Sequence, residues 1–235
     1  MNSLIVPWKS VVYDISGPDA DNLYNFFHGK EIEESNIDLK CAERGLITFL
    51  VDRFSEFLLD VCEISANGCV LHHLTEPFTN RANKPGDIDF LLYDKVEPEK
   101  TAAIEVKILK KKQSNFHIDF VDNIEKVREG LDQATGLIGI GFHSVFIMIV
   151  VLANTSIYSD RNLATRSIDE INWGKIREEY ERYRKEREIG LIGIEINQNT
   201  ARPISESGVI SGFMFKKFVR EQSEEITHAI SHLGK

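Results

Sequence analysis

The chain has 235 residues, of which 42% are hydrophobic and 28% are charged. This apolar content is sufficient for a sizeable buried core and argues against a disordered chain. Lys and Arg number 28 against 37 Asp and Glu, so the formal net charge is −9 at pH 7. Proteins that coat nucleic acid non-specifically are basic, and the acidic balance argues against that class. A nuclease stays compatible with it, because such an enzyme needs acidic metal ligands and only a local basic patch.

The cysteine pattern and the longest apolar run indicate the compartment. The three cysteines, Cys41, Cys62 and Cys69, lack the paired spacing of a zinc knuckle, and their odd number favours reduced thiols. The first residues show no charged segment followed by a long apolar one, so no signal peptide is predicted. The apolar run Val145–Ala153 is too short for a membrane span and is typical of a buried strand. We therefore expect a cytoplasmic protein with no membrane partner.

The first half of the chain predicts an arm, a helix and three strands. Residues 1 to about 37 predict an irregular arm or a short strand and helix. From about Asp38 to Ile64 apolar residues recur every three or four positions, which predicts a helix with Asp38 as its N-cap. Three strand-like segments follow, with turn-rich connections typical of a meander: about Val70–Thr79, Asp87–Tyr93 and Thr101–Leu109.

The second half of the chain alternates helices and strands. An amphipathic helix is predicted from Phe120 to Ile138, and the apolar strand Val145–Ala153 is of the kind that lies inside a sheet covered on both faces. Beyond a polar loop, the predicted elements are helix Asp169–Glu188, strands Gly190–Ile196 and Gly208–Phe218, and helix Val219–His232. Since no linker composition separates these elements, we predict one α/β domain over residues 1–235, with a core at about 38–153, an N-terminal arm at 1–37 and a C-terminal α/β extension at 154–235.

The candidate metal-binding and catalytic residues are charged residues on two of the predicted strands. Side chains alternate between the faces of a strand, so Asp87 and Asp89 share one face, and Glu105 and Lys107 share another. If the two strands pair, carboxylates and an ammonium converge at one place. Mg²⁺ prefers such oxygen-rich sites, and a nearby lysine can orient the attacking water and neutralise phosphate charge. The alternative is a solvated edge hairpin with cross-strand ion pairs.

These residues resemble the PD-(D/E)xK, or restriction-endonuclease-like, nuclease superfamily. The matching motif is Asp89 on one strand, then Glu105-Val106-Lys107 on the next, within an element order like that superfamily's αβββαβ core with its mixed central sheet. The resemblance implies a Mg²⁺-dependent nuclease, with Mn²⁺ as a substitute, that hydrolyses phosphodiester bonds of nucleic acid, DNA foremost, in restriction, defence or repair. It also implies that Asp89, Glu105 and the Val106 carbonyl hold the metal and that Lys107 activates water.

The register of the aspartate strand leaves two ligand candidates. Asp87 follows Pro85-Gly86, and Asp89 lies two residues later. By resemblance to relatives with a similar strand, Asp89 is favoured as the main ligand. Asp87 remains a second metal ligand or a residue that caps the turn.

Two helices offer further site residues. Relatives supply a glutamate from the first helix, where Glu43 lies inside the apolar stripe and Glu56 outside it, so Glu43 is the preferred helper of the metal site. A salt bridge near the helix start is the alternative for Glu43. Gln133 resembles a glutamine that some relatives carry on the next helix, but it lies off the apolar stripe, and a solvent-facing role is the alternative.

The remaining polar clusters support secondary expectations. Lys110–Lys112, with Lys126 and Arg128, are candidates for phosphate contacts, whereas Arg182–Arg187 lie among glutamates as in an exposed ion-paired helix. His72 and His73 should point to opposite faces of their strand, and no partner at metal-ligand spacing accompanies them or the isolated His117 and His143, which disfavours zinc chemistry. No G-x-S-x-G, P-loop or G-x-G-x-x-G motif is present. The competing function is a non-catalytic or partner-dependent binding module, and a homodimer or a larger complex is compatible with the extension.

Overall fold

The computed structural model describes residues 10–15, 47, 50, 51, 55–74, 88–112, 120–154, 170–184, 188–198 and 208–233. These residues form an α/β fold on one mixed, open sheet. Its strands are β1 (Ser10–Ile15), β2 (Cys69–Leu74), β3 (Ile88–Tyr93), β4 (Thr101–Lys112), β5 (Phe120–Asp122), β6 (Ser144–Asn154), β7 (Gly190–Gln198) and β8 (Gly208–Lys216). The helices are α1 (residues 55–61), α2 (Lys126–Ile140), α3 (Glu170–Arg184) and α4 (Glu224–His232), and residues 47, 50 and 51 are also helical.

The strand order explains where the helices lie. The sheet runs β1-β8-β7-β6-β4-β3-β2, and β5 pairs with the end of β4. β4, β6 and β7 are parallel neighbours, while the remaining pairs are antiparallel. Parallel neighbours need a crossover connection, and α2 and α3 provide the two crossovers. The predicted meander β2–β3–β4 and the predicted buried strand β6 are both confirmed.

Helices cover both faces of the sheet, so its central strands are buried on both sides. On the first face, Phe57 and Leu58 of α1 pack with Ile104 of β4. On the second face, α2, α3 and α4 pack over the sheet, where Leu131 of α2 belongs to one apolar cluster with Ile147 of β6. This double cover accounts for the continuous apolar sequence of β6, whose side chains are buried from Ser144 to Val151.

Two predicted helices begin later than expected. The helix predicted from Phe120 is wrong at its start, because Phe120–Asp122 pairs antiparallel with Lys110–Lys112 as β5, and α2 begins only at Lys126. A left-handed residue, Asn123 with φ 59°, lies between strand and helix. The helix predicted from Val219 is also wrong at its start. α4 begins at Glu224, where the Ser223 Oγ accepts a hydrogen bond of 3.3 Å from the Ile226 N–H and caps the first turn.

The two predicted terminal regions contribute strands to the same sheet. β7 lies directly beside β6, β8 pairs with β7, and β1 from the N-terminal region pairs antiparallel with β8. The C-terminal region is thus continuous with the central strands through hydrogen bonds. Within the described part of the chain, no helix is both long enough and apolar enough to cross a membrane.

Candidate active site

The candidate site lies where β3 separates from β4. Phe90 opposite Ile104 is the last backbone pair between the two strands, whereas on its other edge β3 stays paired with β2 as far as Ile88 opposite Leu74. β4 continues from Glu105 to Lys112 alongside β6. A gap therefore opens on the β3 side of β4, and Asp89 is the first β3 residue at that gap.

The Asp89 carboxylate bridges the gap. Its Oδ2 accepts a hydrogen bond of 2.7 Å from the backbone N–H of Val106, although the residue is only 7% exposed. The bond replaces the strand-to-strand bond that the separation removes. In an extended strand the N–H and the C=O of one residue point to the same neighbour. The carbonyl of Val106 therefore also faces the β3 side of β4.

Glu105 and Lys107 lie side by side on the face that α2 covers. The Lys107 Nζ donates a hydrogen bond of 2.6 Å to the Glu105 Oε1, and their side chains are 14% and 6% exposed. Ile104 and Val106 belong to the apolar cluster of the first face, so the predicted alternation along β4 is confirmed. Burying a carboxylate costs free energy unless the charge is paired. Asp89 thus bonds to the backbone of Val106, which lies between Glu105 and Lys107 in the chain, and the low exposure of these side chains does not fit a solvated hairpin.

A close contact with α2 holds the Lys107 stem, and sequence reasoning missed it. A Cβ at Gly130 would lie 2.8 Å from the Lys107 Cγ and 2.5 Å from the Ile147 Cδ1. Only a glycine permits this approach of the helix to β4 and β6. The available signal was a glycine among the apolar positions of a predicted helix, which often marks a close packing contact. Nearby, the Lys126 Nζ lies 3.4 Å from the Ile108 carbonyl oxygen.

Gln133 lies on α2 but is exposed. With about 100° per residue, Gln133 and Lys126 lie about 60° and about 40° from Gly130, on one flank of the helix. The guanidinium of Arg128 lies 5.1 Å from the ring centroid of Tyr183, so Arg128 faces α3 instead. The described contacts do not bring Gln133 against either carboxylate.

The remaining predicted site residues either lie away from the gap or fall outside the described residues. Glu56 is exposed, as its position outside the apolar stripe predicted. Glu43 and Asp87 lie outside the described residues, as do the side chains of Lys110–Lys112. In the charge-rich helix α3, Arg184 pairs with Glu181 at 2.9 Å, in agreement with an ion-paired surface.

The prediction that His72 and His73 point to opposite faces is wrong. Their ring centroids lie 5.1 Å apart in an edge-to-face contact. The cause is the backbone of His73, whose φ of 52° breaks the extended geometry. The register places His73 opposite Asp89, between the pairs His72–Phe90 and Leu74–Ile88, but its ring is turned toward His72.

The oxygen donors at the gap fit a hard divalent cation. Two carboxylates and a backbone carbonyl are the chemistry that Mg²⁺ prefers, with water and a substrate phosphate as its other ligands. Within the described ranges, no group of three or more His, Cys, Asp or Glu side chains gathers in a metal-binding arrangement. The oxygen donors that the described residues offer at the gap are Asp89, Glu105 and the Val106 carbonyl.

Comparisons of the chain with protein-family models, with curated proteins and with solved structures find no match. The geometry of the gap between β3 and β4 is therefore the feature that points to a function.

Proposed function

We propose that the protein is a Mg²⁺-dependent nuclease of the PD-(D/E)xK type that hydrolyses phosphodiester bonds of nucleic acid, with DNA as the foremost substrate. The observation that carries the proposal is the meeting of Asp89, Glu105 and Lys107 at the gap between β3 and β4. Three ionisable side chains occupy a largely buried region there. Burial of a charge costs free energy, and clusters of buried ionisable groups are typical of functional sites.

The order of elements around the gap supports the proposed restriction-endonuclease-like core. α1 precedes the antiparallel strands β2, β3 and β4, and α2 then leads to β6, which is parallel to β4. This is the αβββαβ order, with β5 added between β4 and α2. In the proposal, β1, β7 and β8 extend the sheet of that core.

The chemistry follows from the side chains at the gap. A bound divalent cation would neutralise phosphate charge and lower the pKa of a coordinated water. Asp89 and Glu105 would hold it with the Val106 carbonyl, and the Val106 N–H fixes the orientation of the Asp89 carboxylate. Lys107, held beside Glu105, would orient the attacking water. The water oxygen forms a bond to phosphorus, and the leaving oxygen departs with the bonding electron pair and takes up a proton.

The test is a cleavage assay with the full chain. Supercoiled plasmid, linear duplex, single-stranded DNA and RNA are incubated with Mg²⁺, Mn²⁺ or EDTA. We expect metal-dependent cutting by the wild type and a loss of about 10²–10⁴-fold in Lys107→Ala, the range typical of a lost acid–base group. Asp89→Ala should lose cutting together with metal affinity.

A matched control separates the site from general charge effects. Lys100 also pairs with a glutamate, Glu97 at 2.7 Å, but the two side chains are 44% and 46% exposed in the turn between β3 and β4. Lys100→Ala should therefore cut as the wild type does. Near-full activity in a folded Lys107→Ala protein would contradict the role assigned to Lys107.

The second candidate function is a non-catalytic or partner-dependent nucleic-acid-binding or scaffolding module on the same fold. The net charge of −9 favours it, since an acidic chain attracts nucleic acid poorly without a partner. A folded protein that cuts no substrate and binds no Mn²⁺ would support this candidate. A homodimer or a larger defence or repair complex is the setting in which we would then seek activity.

A further inference from the structure

Helix α4 carries a histidine pair that the proposed nuclease site does not use. His228 and His232 are four residues apart, so they lie one turn above the other on the same side of the helix. Both are exposed, and their ring centroids are 4.3 Å apart. The opposite side of α4 is anchored, because Ile226 and Ile230 are buried in the apolar cluster of the second face. The pair is thus held on a helix whose orientation is set by the core.

The hydrogen bonds of His232 prepare its ring as a metal ligand. The His232 Nδ1 lies 2.8 Å from the backbone carbonyl oxygen of His228. A carbonyl oxygen only accepts, so Nδ1 carries the proton and donates it. In this tautomer the lone pair of the neutral ring lies on Nε2. Histidines that bind metals commonly donate their other ring N–H to a backbone carbonyl in this way.

We propose that His228 and His232 form a transition-metal site on α4, separate from the gap between β3 and β4. Imidazole nitrogens favour ions such as Ni²⁺, Cu²⁺ and Zn²⁺, whereas Mg²⁺ favours carboxylate oxygens. Two histidines in adjacent turns of one helix are a known arrangement for a bound metal. The pair supplies two nitrogens and water completes the coordination, since no third protein ligand gathers there among the described side chains.

Occupancy of this site would stabilise the folded chain. The two rings are neighbours only while the helix is formed, so the metal binds the folded state in preference to the unfolded one. Binding also joins two turns of α4, a helix of nine residues that is too short to be stable alone. We therefore expect Ni²⁺ to raise the melting temperature, whereas excess Mg²⁺ should leave this site empty.

The experiment titrates the chelator-treated full chain with NiCl₂ by calorimetry, in excess MgCl₂ and slightly above neutral pH. His228→Ala and His232→Ala should each weaken binding at this site at least about tenfold, a loss that even an outer-shell partner of a metal ligand can cause. The same variants should lose the Ni²⁺-dependent rise in melting temperature. Both residues are exposed, so the variants should fold, which circular dichroism checks.

The matched control is His72→Gln, which alters the other histidine pair, on β2. It should bind Ni²⁺ at the α4 site as tightly as the wild type. No Ni²⁺ binding by the wild type, wild-type affinity in either α4 variant, or loss of binding in His72→Gln alone would each overturn the proposal. None of these outcomes depends on nuclease activity.

Discussion

At the scale of single residues, burial moves the pKa of some side chains away from their ordinary values. Burial raises the pKa of the Cys62 thiol to about 12, so this cysteine is inert near neutral pH. Burial likewise lowers the pKa of His143 below its ordinary value of 6.5, and the positive charges of Lys217 and Lys100 act in the same direction. The His143 backbone is fixed at the start of β6, where its carbonyl accepts a hydrogen bond of 2.9 Å from the Arg220 N–H.

The lowered pKa of His143 predicts a loss of stability in mild acid. The unfolded chain binds a proton at His143 near pH 6.5, whereas the folded chain resists it, so the free energy of unfolding falls as the pH drops through that value. Urea unfolding midpoints at about pH 7.5 and about pH 5.5 measure the change. His143→Gln should show a smaller decrease than the wild type. An equal decrease in both proteins would assign the effect to other groups.

At the scale of elements, the docking of α2 positions the candidate site. Gly130 lets the helix approach the Lys107 stem, and the adjacent residue Leu131 anchors the helix in the second-face cluster. The helix ends at Gly141, whose φ of 100° is readily adopted only by glycine and turns the chain toward β6. A small displacement of α2 would therefore move Lys107 relative to Glu105.

Gly130→Ala should reduce both the proposed nuclease activity and the stability of the fold. The new Cβ would lie 2.8 Å from the Lys107 Cγ, and a misplacement of about 1 Å at a reacting centre can cost about 10²-fold in rate. Overpacking should lower the free energy of unfolding by about 1–3 kcal/mol. Cleavage rates and urea unfolding of the same preparation measure both effects.

The same helix provides the control. A Cβ at Gly139 meets no atom of the described residues within 4 Å, so Gly139→Ala should keep full activity and gain about 0.5–1 kcal/mol of stability. In the double variant Gly130→Ala with Ile147→Val, the Ile147 Cδ1 is gone but the contact with Lys107 remains, and activity should stay low. Recovery in that variant would show that the core contact, and not Lys107, causes the loss.

At the scale of the whole molecule, the C-terminal region completes the sheet. β7 pairs in parallel with β6 from Phe146 to Asn154, and Ile192 and Ile194 of β7 belong to the first-face cluster. On the second face, the Trp173 indole N–H of α3 donates a hydrogen bond of 2.9 Å to the buried carboxylate of Glu195 on β7. Removal of this region would expose one edge of β6 and part of both apolar faces.

A chain that ends after Asn154 should therefore fail to fold cooperatively. An exposed central strand presents unpaired backbone groups and apolar side chains, which favour aggregation over a compact state. Thermal unfolding and size-exclusion chromatography of the truncated and full chains make the comparison. A monomeric truncated chain with a sharp transition would show that the region up to residue 154 is an independent folding unit.

The sequence alone was sufficient for features that depend on short-range periodicity. Alternation along β4 correctly placed Glu105 and Lys107 on one face, because the period of two holds in any extended strand. The apolar run of β6 correctly predicted a strand buried on both faces. The resemblance to a nuclease family pointed to the same segment, and the nuclease function that it implies stays a proposal.

Only the tertiary structure decided how distant segments meet. The separation of β3 from β4 set the bond between Asp89 and the Val106 N–H, and pairing with the extended end of β4 made Phe120–Asp122 a strand instead of a helix. The close approach at Gly130 likewise depends on where the crossover places α2. The physical reason is that local propensity is a weak preference of a few tenths of a kcal/mol per residue up to about 1 kcal/mol, which pairing and packing with remote residues override.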